Sequence, residues 1–190
     1  MYSLVSRSQA LLLVLIVLSI GGLASQAFAQ ATPEAVLEMA ISHFNRARQG
    51  EADQIESAIA AFRAAPGNPA LQPIYSVYRG SALTLAGKAA WMPWNKMKFT
   101  DQGLDSIDQA LAALRPEHDR LLVQGTPASL MTRMVAAATF IAVPDGIFHR
   151  RAAGKSLLAE LRRNPLLVAA PAGFRAELGM LETRLQEAEK

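Results

Sequence analysis

Residues 74–114 read IYSVYRGSALTLAGKAAWMPWNKMKFTDQGLDSIDQALAAL, and the spacing of their apolar positions decides the fold. From Ile74 to Ala86 almost every side of a helix is apolar. Only Ser76, Arg79, Thr84 and Gly87 form a narrow polar stripe, the pattern of a mostly buried helix. From Thr100 to Leu114 the positions Leu104, Ile107, Leu111 and Leu114 recur at steps of three, four and three, which is one face of a second helix. Arg115-Pro116 closes it. Between the two lies Gly87 to Met97, read as an aromatic, basic loop. The stretch predicts two antiparallel helices facing each other across that loop.

The flanking sequence repeats the theme. Thr32 is a plausible cap for a helix with Pro33 at its first position, running to Arg48 with Val36, Met39, Ala40, Ile41 and Phe44 on one face and Gly50 at its end. A second helix over Asp53 to Ala65 carries Ile55, Ala58, Ile59 and Phe62, before Pro66-Gly67-Asn68-Pro69 breaks it. After Pro116 the periodicity weakens. Thr126-Pro127 opens a helix running to about Ile141, Pro144-Asp145-Gly146 ends it, and a basic helix with Phe148, Leu157, Leu158 and Leu161 runs up to Asn164-Pro165. Ala172 to about Ala188 repeats Phe174, Leu178, Leu181 and Leu185 at steps of four, three and four, an amphipathic lid for one end of the stack. Leu130 to Val143 is apolar but contains Arg133 and stops at Pro144, too short for a span of about 20 residues, so a buried core helix is expected there. The fold class is all-α, with about six or seven helices stacked as antiparallel hairpins in a solenoid or a compact bundle.

Composition agrees with one ordinary domain: 190 residues, 51% hydrophobic, with ten prolines and twelve glycines too scattered for a fibrous or disordered class. A net charge of +3 is too small for a dense phosphate-binding surface, so no nucleic-acid partner is expected. The absence of cysteine removes disulfides, thiolate metal sites and a cysteine nucleophile. Met1 to Gln9 carries Arg7 and no acid, Ala10 to Ile20 is apolar apart from Ser19, and Ala27-Phe28-Ala29 fits the small-x-small rule of signal peptidase. Residues 1–29 therefore read as a secretory signal peptide. That leaves residues 30–190 as a single helical domain, exported to the periplasm or the exterior and meeting the membrane only in transit.

The hairpins, with proline after each second helix, resemble the tetratricopeptide repeat. Tyr78 and Gly80 match the aromatic and small positions of its first helix, and Gly103, Ile107 and Ala110 followed by Pro116 match its second. The first hairpin keeps Ala58, Ala61 and Pro66. Ala61 and Ala110 lie 49 positions apart against a family period of roughly 34, with the excess assigned to the loop Gly87 to Met97. The resemblance covers residues 33–116, leaving 117–190 as further helices with a C-terminal cap. It implies a diverged repeat scaffold, similar to exported bacterial repeat proteins of uncharacterised role, that presents a surface to a protein or peptide and brings no activity with it.

Trp91, Trp94, Lys96 and Lys98 place both indoles of the chain beside two lysines, either as a recognition patch or as a cover folded over the end of the hairpin. Arg79 is the polar residue of the preceding helix assigned to the same side. Asp101, Asp105 and Asp108 share a helix face, either as a site for a cation or basic peptide or as a solvated stripe. His43, His118 and His149 lack metal-ligand spacing, and Gly154-Lys155-Ser156 lacks the first glycine of a phosphate loop. No catalytic residue, cofactor site or metal site is assigned. The leading expectation is a non-catalytic scaffold binding a protein or peptide through Arg79, Trp91, Trp94, Lys96, Lys98, Asp101 and Asp105. One alternative is an exported enzyme or small-ligand binder with Arg79 and the aspartates in a pocket between helices. A further alternative is peripheral binding to anionic membrane through Arg150, Arg151, Lys155, Arg162 and Arg163. Intact-mass spectrometry of the exported protein is expected to find Gln30 as the first residue; a chain still starting at Met1 contradicts the signal peptide.

Overall fold

Helix α3, Gln72–Ala89, is packed against by more of the molecule than any other element, and eleven of its eighteen residues are buried. A computed structural model of the chain describes residues 32–64 and 69–187; the signal-peptide assignment falls outside them. The described residues form an all-α fold. Helices α1 (Pro33–Arg48) and α2 (Gln54–Arg63) make the first hairpin, and α3 with α4 (Pro93–Ala112) makes the second. Then come α5 (Ala128–Ala142), the single turn α6 (Asp145–Phe148), α7 (Arg151–Arg163) and α8 (Ala172–Glu187). Between α4 and α5, strands β1 (Leu122–Val123) and β2 (Thr126–Pro127) pair antiparallel, Leu122 opposite Pro127 and Val123 opposite Thr126. Thr126-Pro127 therefore pairs as strand, immediately ahead of the helix it was expected to open.

The polar stripe of α3 is its interface with α4. Ser106 donates from Oγ to the Ser76 carbonyl at 2.9 Å, and Arg79 donates to Ser106 Oγ at 3.3 Å. One turn further, Gly80 meets Gly103: a Cβ on either glycine would fall 2.5 Å from the carbonyl oxygen of the other. At the last turn a Cβ on Gly87 would collide with Thr100 Oγ1 and come within 2.9 Å of the Lys96 carbonyl. Small residues at Ser76, Gly80 and Gly87 thus let two backbones run in contact for the length of the hairpin, an approach that any larger side chain would prevent.

The first hairpin is held to α3 by aromatic rings. Phe62 stacks on Tyr78 with centroids 5.3 Å apart, Phe44 meets Tyr78 edge-on at 5.2 Å, and Phe62 meets Tyr75 edge-on at 6.3 Å. Such pairs add about 0.5–1.5 kcal/mol each to the burial of the rings. On the other side Ser81 of α3 and Thr139 of α5 hydrogen-bond at 2.7 Å inside the core. Helix α7 lies on α5 where Gly154 faces Ile141 and Ala137, so Gly154-Lys155-Ser156 is part of a helix contact and not of a phosphate loop. The basic helix is interrupted at His149, whose left-handed backbone (φ 53°) separates Phe148 from α7, and the Asp145 carboxylate accepts from the Arg151 amide at α7's first turn. Leu130, Met134 and Phe140 of α5 are core residues, and no helix among the described residues is long and apolar enough to cross a membrane. In α8, Phe174, Leu178, Leu181 and Leu185 are the buried face, as their spacing predicts.

The largest departure from expectation is the loop. Helix α4 begins at Pro93, so only Ala90-Trp91-Met92 connects it to α3. Proline fits the first helical position because its fixed φ suits the helix and no N–H is needed there. It also keeps Met92 extended (φ −82°, ψ 131°), which makes the turn. The extra residues that separate Ala61 from Ala110 therefore lie in helices of 18 and 20 residues, compared with 16 and 10 in the first hairpin.

Gly80→Ala or Gly103→Ala is expected to lower the unfolding free energy by about 1–3 kcal/mol through overpacking, although alanine is the better helix former by nearly 1 kcal/mol. Urea titration of each variant checks this, and a net gain in stability contradicts the contact.

Candidate functional site

The short connection decides where the tryptophans go. Because Gly87 keeps α3 and α4 in contact up to their last turn, no space remains between them for an indole. Trp91 is 86% exposed and Trp94 64%, so neither covers the end of the hairpin. Met92 and Met97 are exposed beside them, an apolar surface that the sequence does not announce because each methionine alone is an ordinary helix residue. Lys88 on the last turn of α3 and Lys96 and Lys98 on the first turns of α4 are all exposed, and no acidic residue stands between Lys88 and Asp101 in the sequence. The tip of the hairpin therefore combines two exposed indoles and two exposed thioethers with three exposed lysines.

Trp91, Trp94, Lys96 and Lys98 come together at this tip. Along α4 the exposed residues Trp94, Lys98, Asp101 and Asp105 occur at steps of four, three and four, one outward stripe whose charge changes sign away from the tip. Arg79 does not join them. It is half-buried against Ser106, about 15 Å down the helix axis from the end of α3 at 1.5 Å per residue. The third aspartate also departs from its companions. Asp108 accepts both guanidinium nitrogens of Arg150, at 3.1 and 2.6 Å, and Arg150 lies 5.2 Å above the Phe140 ring. The pair joins α4 to the α6–α7 junction across 42 positions of sequence, a partnership without local signal.

The other candidates have structural surroundings. His43 Nδ1 lies 2.7 Å from Gln54 Oε1 and ties α1 to α2. Buried His118 accepts the Arg115 amide on Nδ1 at 2.8 Å. Among the described residues no three His, Asp or Glu side chains gather as metal ligands. The basic C-terminal stretch is partly neutralised, since Arg150 holds Asp108 and Arg162 is paired with Glu182. A cavity of about 310 Å³ opens where α1, α3 and α5 meet, and none of the seven residues assigned from sequence lines it. No family model, curated protein or solved structure matches the chain.

Because Trp91 and Trp94 are the chain's two tryptophans, its indole fluorescence reports the tip alone. Emission near that of free indole in water is expected, with acrylamide quenching close to that of a free tryptophan derivative. A blue-shifted, shielded emission contradicts the exposed tip.

Proposed function

We propose that the protein is an exported, non-catalytic helical scaffold, a diverged tetratricopeptide-like fold, whose second hairpin docks a protein or peptide partner by its tip. The observation that carries this reading is the exposure of both indoles at a three-residue turn between closely packed helices. A large apolar ring left in water gains burial energy when a partner covers it, and indoles dominate binding hot spots. The lysines select what can cover it. A complementary partner offers an apolar pocket rimmed by carboxylates, which steer it to Lys88, Lys96 and Lys98, while Asp101 and Asp105 repel a partner displaced along α4. The small-residue seam behind the tip supports the same reading, because a short turn between helices in backbone contact has little conformational freedom to lose on docking. Export rests on the N-terminal sequence pattern and supplies the compartment in which the partner is sought.

The test is capture from envelope extract on immobilised protein, comparing wild type with a Trp91→Ala, Trp94→Ala double variant. Wild type is expected to retain a protein that the variant releases, with affinity reduced about 30-fold or more for loss of a hot spot of at least ~2 kcal/mol. Circular dichroism should be unchanged, since neither ring is in the core. Recovery of the same proteins by both removes the tip as the docking site. Tip-dependent binding to anionic vesicles, with no protein lost from the variant, replaces the protein partner with a lipid surface.

A further inference from the structure

The cavity between α1, α3 and α5 lies apart from the hairpin tip and shares no lining residue with it. Its floor is built from hydroxyls whose protons are already committed. Thr139 donates to the Val135 carbonyl at 2.8 Å, so the 2.7 Å contact between Ser81 and Thr139 is Ser81 donating. Thr84 donates to the Ser81 carbonyl at 2.8 Å. Tyr78 differs. Its ring is fixed against Phe44 and Phe62, only 4% of the residue is exposed, and it lines the cavity. Burial pushes its pKa upward, reinforced by Glu177 and opposed by Arg48, so the phenol keeps its proton. Among the described residues no acceptor hydrogen-bonds to that hydroxyl, which lies within reach of the charges of Glu177 and Arg48 and leaves an uncommitted donor at the cavity wall.

Two further features define what the donor would meet. Arg48 and Glu177 also line the cavity and form an ion pair at 2.9 Å, each side chain about half exposed (50% and 42%). A pair so exposed is held weakly and opens easily. Met131, Met134, Val135 and Ala138 supply an apolar wall from α5, with methionine able to adjust to an irregular chain. A volume of about 310 Å³ lies at the small end of ligand pockets.

The geometry points to a binding site for a short-chain amphiphile with a carboxylate head. The carboxylate accepts the Tyr78 hydroxyl proton and takes the place of Glu177 on Arg48, while the hydrocarbon chain lies along Met131 and Met134. Cation, uncommitted donor and apolar wall each match one part of such a ligand. Glu177 acts as a built-in competitor, since its carboxylate occupies the guanidinium when the site is empty and repels the ligand's own. Substitutions at Arg48 and Tyr78 should therefore act in one direction and substitution at Glu177 in the other.

The experiment titrates purified protein with octanoate and, separately, with octanol, following heat and the methyl resonances of Met131 and Met134. Octanoate is expected to bind saturably and perturb both methyls, with octanol about tenfold weaker for want of a charge-assisted bond. Arg48→Gln should weaken octanoate about tenfold or more and Tyr78→Phe about fivefold. Glu177→Gln should tighten it severalfold, and a Trp91→Ala, Trp94→Ala variant should bind it as wild type does, which separates this site from the tip. No saturable binding by wild type and Glu177→Gln overturns the proposal. Equal affinity for octanol and octanoate, with Arg48→Gln silent, also overturns it and leaves only an apolar cavity.

Discussion

The mutual contact of Gly80 and Gly103 is the constraint on which the rest of the structure depends. Each glycine's missing side chain is filled by the backbone carbonyl of the other helix, so the separation of α3 from α4 is set by main chain and not by interlocked side chains. That spacing has two consequences at once. It buries α3 deeply enough for α1, α2 and α5 to pack on its remaining faces, and it closes the hairpin to its last turn, where Gly87 meets Thr100. A wider hairpin would have a gap at its end, and the indoles would have somewhere to go. Here they do not, and the exposed tip is a consequence of the buried seam.

The same geometry sorts polar groups into those that hold the fold and those left available. Ser76, Ser81, Thr84, Ser106 and Thr139 are buried, and their hydrogen bonds run to neighbouring backbone, to each other, or to Gln72 and Arg79 on α3 itself. Asp108 and Arg150 neutralise each other where α4 meets the α6–α7 junction. Among the groups outside that set are three exposed lysines and two tryptophans at one hairpin tip and a protonated phenol at the wall of a cavity between helices. The indoles lie outside the core, and of Tyr78 the core uses the ring and not the hydroxyl.

Much of this is legible in the sequence because helical packing has a local period. The buried faces of α2, α4 and α8 come from steps of three and four, and the near-uniform apolarity of α3 marks it as the central helix. In α1 Ala40, Ile41 and Phe44 are buried as their spacing predicts, but Leu37 and Ala47 complete the face and Met39 is exposed. Pro33, Gly50 and Pro116 mark helix boundaries close to where they occur. The failures have physical causes. Pro93 can break a helix or open one, depending on the residues after it, and Trp94 to Phe99 carry too few core contacts to show a period, so a helical segment reads as loop. Ser76, Thr84 and Gly87 form a polar stripe by residue type, but the stripe is a contact surface because what matters at a helix seam is size. The pairing of Asp108 with Arg150 and the cavity joining Arg48, Tyr78, Thr139 and Glu177 depend on residues far apart in the chain, and no local pattern marks them.

Native-state hydrogen exchange tests most directly whether the seam holds the rest together. If it does, the amides of Ser81 to Leu85 and of Leu104 to Asp108 exchange only through global unfolding and are the slowest in the molecule, with the free energy measured by denaturant. Exchange of those amides by local opening, while α7 and α8 remain protected, would show that the fold stands without the α3–α4 contact and would contradict the account.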